Sequence, residues 1–204
     1  MVRSVDEPGR KMTGTMRGRD ARIYDEAMRF IEQHKDRPFY VNVWSHISHH
    51  RIAPPKSYVP KFHDLAVDES KFAPPMRAKL AACKARGGDV NLHLRRYLAD
   101  LHSMDEDIGR LLDRLDALGL SDHTIVVLSG DQGPAPIDVD PAMDPEARRL
   151  RGKEPKPADT AAEFARLDAM GFAGNLRGGK HTVYEGSVRV PRIVRWPAQS
   201  AKKA

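Results

Sequence analysis

The stretch Tyr97–Pro134, YLADLHSMDEDIGRLLDRLDALGLSDHTIVVLSGDQGP, decides the fold of this chain of 204 residues. It belongs to a region with one apolar stripe at helical spacing, about seven turns long, and charged residues fill the other face. The stripe consists of Leu94, Leu98, Leu101, Met104, Ile108, Leu111, Leu112, Leu115 and Leu118. Gly119 is suited to follow a helix C-terminus, and Thr124–Leu128 (TIVVL) is apolar throughout, as in a central buried strand. A helix, a glycine turn and a buried strand in this order predict an α/β fold.

Two further elements are predicted on the N-terminal side. Asp20 is a candidate N-cap for a helix that runs to about Gln33, because apolar residues recur there at helical spacing. Phe39–Ser45 (FYVNVWS) has the composition of a strand, and its nearly continuous apolarity favours burial on both faces, as in a parallel sheet. Met76–Lys84 is a candidate helix after a proline-rich loop.

The C-terminal side contains a polar excursion between residues 134 and 174, with one candidate helix at Thr160–Met170. Loops of this length are usually functional or disordered. A third short strand is predicted at Arg192–Trp196. We interpret residues 1–19 as a loop or connector and residues 20–204 as one irregular α/β unit.

The composition excludes several classes of protein. The 34 basic and 28 acidic residues give a net charge of +6, but they are interspersed, so no nucleic-acid partner is expected. One cysteine cannot form an intramolecular disulfide, and Cys83 is interpreted as a small packing residue. No run approaches the roughly 20 apolar residues of a membrane span, and no signal peptide is recognised, so localisation stays open.

The first candidate site is SGDQGP, Ser129–Pro134, directly after the predicted buried strand. Ligands of open α/β sheets bind at the carboxyl ends of parallel strands. Asp131 and Gln132 would present two hard oxygen donors there, suited to Ca²⁺ or Mg²⁺. Gly130 and Gly133 would allow a tight backbone that turns both side chains toward one ion. The alternative is an Asx-type turn that closes the strand.

The second candidate is SHISHHRIAPP, which follows the strand FYVNVWS and contains His46, His49 and His50. Histidines at a strand end can donate to an anionic oxygen or bind a metal. The spacing matches no zinc motif such as HExxH. Surface histidines in a loop are the alternative.

The third candidate is RGGKHTVYEG, Arg177–Gly186. Its two glycines would let the backbone come close to a ligand, and Lys180 could hold a tetrahedral oxyanion as a point charge. The alternative is a solvated hairpin loop.

Taken in order along the chain, PFYVNVWSHISHHRIAPP, the stretch from Tyr97 to Pro134 and LRGGKHTVYEGSVRVPRIVRWPA resemble the type I sulfatases, the arylsulfatase-like enzymes of the alkaline phosphatase superfamily. The resemblance extends from about Asp20 to Pro197 and covers the C-terminal part of the catalytic domain only. It implies an alkaline-phosphatase-like sandwich with a mainly parallel sheet flanked by helices. It also implies hydrolysis of a sulfate monoester, on a small molecule or a glycan, at a site with one divalent cation, usually Ca²⁺.

The resemblance also implies roles for individual residues. Asp131 matches the family's metal-binding aspartate, and Gln132 stands where many members have Asn or His. Lys180 matches the lysine that contacts the sulfate oxygens. His49 matches the histidine that contacts sulfate and acts as general acid to the leaving group. Ser187 replaces the second glycine of the family's YEGGxRVP signature.

Two family features are absent from the 204 residues: the CxPxR motif, whose cysteine becomes the formylglycine nucleophile, and an N-terminal pair of aspartates that completes the metal site. Asp6–Arg10 (DEPGR) has the spacing of that motif but lies too close to FYVNVWS, so we interpret it as coincidence. Without a nucleophile, Lys180 and His49 have nothing to assist, and we expect little or no turnover by the isolated polypeptide.

Two other functions stay open at this point. One is a phosphomonoesterase or phosphodiesterase of the same superfamily, although the segment EGSVRVP favours a sulfatase. The other is a non-catalytic module that binds sulfated or phosphorylated polyanions, for which the excursion offers one modest basic group. That group consists of Arg148, Arg149, Arg151 and Lys153.

Overall fold

The computed structural model describes residues 17–49, 52–85, 88–135 and 170–200. These residues form five helices, here named α1 to α5, two strands, β1 and β2, and three short 3₁₀ turns. The helices are α1 (Ala21–His34), α2 (Pro74–Ala85), α3 (Val90–Ala117), α4 (Glu185–Val188) and α5 (Pro197–Ser200). The strands are β1 (Val126–Ser129) and β2 (Arg192–Arg195), and the turns are Val59–Phe62, Glu69–Lys71 and Ser121–His123. None of the helices in these ranges is long and apolar enough to cross a membrane.

The three predicted helices within these ranges are confirmed to within a few residues. α3 is the longest, at 28 residues, and it ends as predicted: Gly119 has φ 68°, and the Leu120 amide donates to the Leu115 carbonyl at 2.9 Å. Such a bond to a carbonyl five residues earlier is typical of a glycine-terminated helix. The candidate helix Thr160–Met170 lies outside the described residues except for Met170.

Burial along α3 does not simply follow its apolar stripe. Asp100, Ser103 and Asp107 are almost completely buried, whereas most of the stripe is half-buried. The buried carboxylates face cations: Arg19 Nη2 lies 3.6 Å from Asp100, and Arg110 Nη1 donates to Asp107 at 2.8 Å. A buried carboxylate needs such partners because burial alone strongly disfavours its charge.

The sheet differs from the sequence-based expectation. β1 and β2 are hydrogen-bonded neighbours in a two-stranded antiparallel sheet, and no parallel arrangement is seen among the described residues. The expectation of a central buried strand at TIVVL is wrong, since the side chains of Ile125 and Val127 are 54% and 56% exposed. Burial on both faces requires neighbours on both sides of a strand, and β1 has one strand neighbour here.

Phe39–Ser45 is not assigned to a strand in the structure. Its side chains alternate between half-buried and exposed, with Tyr40 82% and Trp44 75% exposed. The expectation of burial on both faces is therefore wrong, because one face of this segment is uncovered. The third predicted strand is confirmed as β2 to within one residue.

The chain divides into two compact units. Of the described residues, unit 1 comprises 17–49, 52–63, 98–127 and 194–200, and unit 2 comprises 64–85, 88–97, 128–135 and 170–193. The core of unit 2 is built on α2, where Met76, Leu80 and Cys83 are buried with Val90. The burial of Cys83 confirms its interpretation as a packing residue.

Candidate active site

The loop Ser129–Pro134 lies in unit 2, and the side chains of Asp131 and Gln132 are exposed. The backbone of this loop is held at two points. The Gly130 amide donates to the Pro191 carbonyl at 3.4 Å, and the Gly133 amide donates to the Ser187 carbonyl at 2.7 Å. The loop is thus fastened to the segment around α4.

Gly133 is required by this contact. A Cβ atom added there would lie 1.8 Å from the Gly186 carbonyl oxygen, much closer than any non-bonded carbon and oxygen can approach. The sequence predicts that the glycines of SGDQGP turn Asp131 and Gln132 toward an ion. The structure gives Gly133 a further role, because its missing side chain allows two backbones to touch.

The loop Arg177–Gly186 is closed on itself. The Gly186 amide donates to the Arg177 carbonyl at 2.8 Å, and a Cβ on Gly186 would lie 2.3 Å from the Gly178 carbonyl oxygen. The Arg177 guanidinium carbon lies 3.9 Å from the centre of the Tyr184 ring, a cation–π contact across the loop. These contacts fix the shape of the loop that presents Lys180.

Lys180 is joined to the first loop through its backbone. Its amide donates to the Pro134 carbonyl at 3.0 Å, and the next residue, His181, has the left-handed φ of 72°. A non-glycine residue in this region is uncommon and depends on its surroundings. Two segments that the sequence presents about 50 residues apart, the Asp131–Gln132 loop and the Lys180 loop, are therefore neighbours in the structure.

His49 lies in unit 1, in an exposed turn closed by a bond of 2.6 Å from its own amide to the His46 carbonyl. The Arg19 side chain holds this turn from inside the unit. Its Nη2 atom donates to the His46 carbonyl at 2.5 Å and to the His49 carbonyl at 2.8 Å. His50, the third histidine of the cluster, lies outside the described residues.

Asp20 holds the start of the same turn. Its carboxylate is completely buried, and its Oδ2 atom accepts hydrogen bonds from Ser45 Oγ at 2.5 Å, the His46 amide at 2.6 Å and the Ile47 amide at 3.1 Å. The His46 ring contributes a fourth contact, with Nδ1 at 3.1 Å from Asp20 Oδ1. Asp20 stands at the N-cap position of α1, but its side chain makes no capping bond. The prediction of Asp20 as a helix cap is right for the position and wrong for the side chain.

Sequence reasoning missed the part that Arg19 and Asp20 play in this turn. The available signal was the pair Arg19 and Asp20 at the start of a helix. Only 18 residues separate Asp20 from Phe39, where the strand-like segment begins. Charged residues at that place can contact the segment that follows the helix, because consecutive elements are usually adjacent in space. The sequence does not specify that contact, however, and a helix N-cap at Asp20 is equally compatible with it.

The metal-binding capacity of the described residues is partial. Carboxylate and amide oxygens, as in Asp131 and Gln132, fit the preference of Ca²⁺ or Mg²⁺ for hard donors. Ca²⁺ takes six to eight oxygen ligands, and no three His, Cys, Asp or Glu side chains converge within the parts of the chain that the structure describes. The two side chains can supply part of a coordination sphere.

Comparison with solved structures places the chain among known folds. It matches 93% of its length to 30% of a chain in a structure entitled "Crystal structure of Ps i-CgsB in complex with k-i-k-neocarrahexaose", with a TM-score of 0.53 and 17% identity. This likeness shows a shared α/β fold.

The family follows from sequence comparison. The Sulfatase family model matches residues 4–204, and the chain belongs to the sulfatase family. It is 32% identical over 177 residues to an N-acetylgalactosamine-6-O-sulfatase of Bacteroides thetaiotaomicron, which covers 87% of this chain and 25% of the relative. It is 28% identical to mouse steryl-sulfatase, covering 89% of this chain and 21% of the relative. It is 26% identical to human arylsulfatase A, covering 83% and 22%. The chain thus spans a quarter or less of the length of these relatives.

Proposed function

We propose that this chain forms part of the active site of a sulfuric ester hydrolase that cleaves a sulfate monoester. One observation carries the proposal: the loop with Asp131 and the loop with Lys180 are fastened together by backbone bonds, from Gly133 to Ser187 and from Lys180 to Pro134. This arrangement places a carboxylate and an ammonium group on neighbouring loops whose backbones are bonded to each other. The ammonium group suits an anionic ester directly, and the carboxylate suits a divalent cation that would offset the charge of the ester.

In this proposal Lys180 binds the sulfate group. Its charge lies on a loop that is closed by glycine contacts, so little reorganisation is needed when negative charge builds up on the sulfate oxygens. For His49, which lies in unit 1, the resemblance to the family supports a role as a general acid. The Arg19 and Asp20 contacts around its turn then serve to orient the backbone that carries it.

Membership of the family points to a metal cofactor. We propose that Asp131 and Gln132 would hold a divalent cation, Ca²⁺ in the first instance, which when bound would neutralise charge on the sulfate oxygens. Because two ligands are far from six to eight, binding by the isolated polypeptide should be weak, with a Kd of roughly millimolar order. Gln132 has a longer side chain than the Asn of many family members, but it still offers an amide oxygen as a ligand.

The substrate class follows from the same site. The relatives named above are called sulfatases of an amino sugar and of a steroid, so both a sulfated glycan and a small sulfated alcohol are compatible with the proposal. A single ammonium group at Lys180 recognises the sulfate and leaves the rest of the substrate to other parts of the site.

A Ca²⁺ titration of the 204-residue polypeptide, followed by the amide NMR signals of Gly130 to Gly133, tests the metal assignment. We expect Asp131→Ala to remove the shift changes and Asp122→Ala, a substitution at an exposed acid of a 3₁₀ turn, to leave them in place. An affinity that Asp131→Ala does not change would refute the assignment.

A titration with inorganic sulfate tests the anion site in the same way. Lys180→Met should weaken the response of the Lys180 loop by about tenfold or more, because a charge-assisted contact is lost. Lys35→Met, at an exposed position after α1, is the matched control.

We also propose that the isolated polypeptide does not hydrolyse sulfate esters, since its 204 residues contain no CxPxR sequence. An aryl sulfate assay with added Ca²⁺ should give no metal-dependent hydrolysis. Robust hydrolysis that Lys180→Ala abolishes would show that the nucleophile is not needed in the form the family uses.

A further inference from the structure

The two ends of the long excursion are fastened to α2 by one side chain. Lys79 Nζ donates to the Ala135 carbonyl at 3.0 Å and to the Gly171 carbonyl at 2.5 Å. Ala135 lies near the start of the excursion and Gly171 near its end, and they stand 56 and 92 positions after Lys79 in the sequence. Both oxygens share one nitrogen and are therefore near neighbours themselves.

Packing around this tie supports the same arrangement. Met170 and Phe172 lie against the core of α2, which includes Met76 and Leu80. A Cβ on Gly171 would lie 2.8 Å from Pro134 Cβ, so the returning chain runs directly against the outgoing one. Apolar contacts thus fix the returning side, and Lys79 joins the outgoing side to it.

The ammonium group suits this place for an electrostatic reason. Two carbonyl oxygens that point at the same spot repel each other, and a cation between them converts that repulsion into two charge-assisted hydrogen bonds. Lys79 is half-buried, which strengthens these bonds relative to fully hydrated ones. A methionine of similar length would fill the space but would leave both carbonyls without this donor.

The tie continues into the candidate site. Ala135 directly follows Pro134, and the Pro134 carbonyl accepts the Lys180 amide at 3.0 Å. We propose that Lys79 is a positioning residue of the sulfate site: it holds the Pro134–Ala135 segment and thereby the backbone of Lys180. The assignment to a sulfate site rests on the proposed function, whereas the contacts of Lys79 that position Lys180 all lie within unit 2.

Amide hydrogen exchange of the 204-residue polypeptide tests the proposal. In Lys79→Met we expect the Lys180 amide to exchange about tenfold faster or more, because a hydrogen bond to a charged group is lost at its acceptor segment. Lys79→Arg should restore slow exchange, since a guanidinium can donate to both carbonyls. Lys84→Met is the matched control: it removes a lysine of the same helix that binds Glu69 at 2.7 Å and should leave the Lys180 amide unchanged.

Two outcomes would overturn the proposal. One is an unchanged exchange rate at Lys180 in Lys79→Met. The other is equal acceleration at the buried amides of α2, such as that of Leu80, which would make Lys79 a general stabiliser of the unit. Failure of the proposed function would give another result. Sulfate binding would then be insensitive to Lys180→Met, while the Lys180 amide would still exchange faster in Lys79→Met.

Discussion

The Lys180 loop and the histidine turn present their side chains by different means. In unit 2 the Lys180 loop meets its neighbour through backbone groups, and glycines such as Gly133 and Gly186 allow the approach. In unit 1 the turn at His49 is held by the side chains of Arg19 and Asp20, which are charged. The first arrangement depends on the absence of side-chain atoms and the second on the presence of charge.

The difference determines which perturbation each region tolerates. Contacts between glycines and carbonyls carry no titrating group, so they should respond little to pH or salt but strongly to one added carbon. Charged side chains that satisfy backbone groups behave in the opposite way, because removing one leaves buried and partly buried donors without an acceptor. Asp20→Ala and Gly133→Ala test this contrast directly, and Asp107→Asn, which has the smallest expected effect, tests how a buried charge of unit 1 responds to pH.

Asp20→Ala should have the largest effect. It removes the acceptor of Ser45 Oγ and of the His46 and Ile47 amides, and unsatisfied buried donors cost about 1–3 kcal/mol each before relaxation. We expect unit 1 to lose about 3–5 kcal/mol in free energy of unfolding, measured by urea denaturation. Asp36→Ala, at an exposed position after α1, should change it by less than about 0.5 kcal/mol.

A loss below about 1 kcal/mol in Asp20→Ala would mean that water replaces the carboxylate without difficulty. The histidine turn would then be held mainly by Arg19.

Gly133→Ala should come second. The added carbon would meet the Gly186 carbonyl at 1.8 Å, so the bond from Gly133 to Ser187 must break or the loops must separate. Overpacking against backbone costs about 3 kcal/mol, and we expect lost exchange protection at the Gly133 and Lys180 amides.

Two other glycines serve as controls for this substitution. Gly109→Ala introduces the same carbon in the middle of α3, where nothing lies within 4 Å, and should stabilise the protein by about 0.5–1 kcal/mol. Gly130→Ala meets Val190 only at an ordinary 3.5 Å and should be nearly neutral. Equal destabilisation by all three would remove the contrast between the regions.

Asp107→Asn should have the smallest effect, and the effect should depend on pH. Burial raises the pKa of Asp107 above its usual range, although the bond from Arg110 opposes the change. A raised carboxyl pKa in the folded state favours folding below the unfolded pKa, and this contribution is lost as the pH rises through the folded value. The stability of Asp107→Asn relative to the native sequence should therefore increase between pH 4 and pH 7, by less than about 1 kcal/mol.

One neighbouring group is coupled to Asp107. Asp25, whose pKa is lowered by hydrogen bonds from Arg17 and Arg110, contributes with the opposite slope and shares Arg110 with Asp107. The comparison is therefore repeated in an Asp25→Asn background, which removes this coupled contribution. A difference between Asp107→Asn and the native sequence that stays flat from pH 4 to pH 7 would contradict a burial effect at this site.

The helices could be predicted from the sequence because their signals are local. The stripe from Leu94 to Leu118 and the turn at Gly119 depend on residues within one element, and α3 follows them closely. The environment of the strands could not be predicted in this way. The apolar composition of TIVVL predicts a buried strand, but the exposure of Ile125 depends on which other segments cover β1.

The candidate site divides along the same line. The motifs indicated Asp131 and Lys180 as candidate site residues, and the loops that carry them are neighbours within unit 2. The tie from Lys79 to the carbonyls of Ala135 and Gly171 could not be predicted, because main-chain acceptors leave no trace in residue identity. The same holds for Arg19, whose partners at His46 and His49 are carbonyl oxygens.

The single cysteine offers a direct view of how unit 2 opens. Cys83 is 1% exposed, and a Cβ on Gly88 would lie 2.4 Å from its sulfur atom, which shows how closely the chain covers it. A thiol reagent can therefore react only when this cover lifts, and no second thiol exists to compete for the reagent. The labelling rate of the unmodified protein thus reports the opening equilibrium of the α2 core.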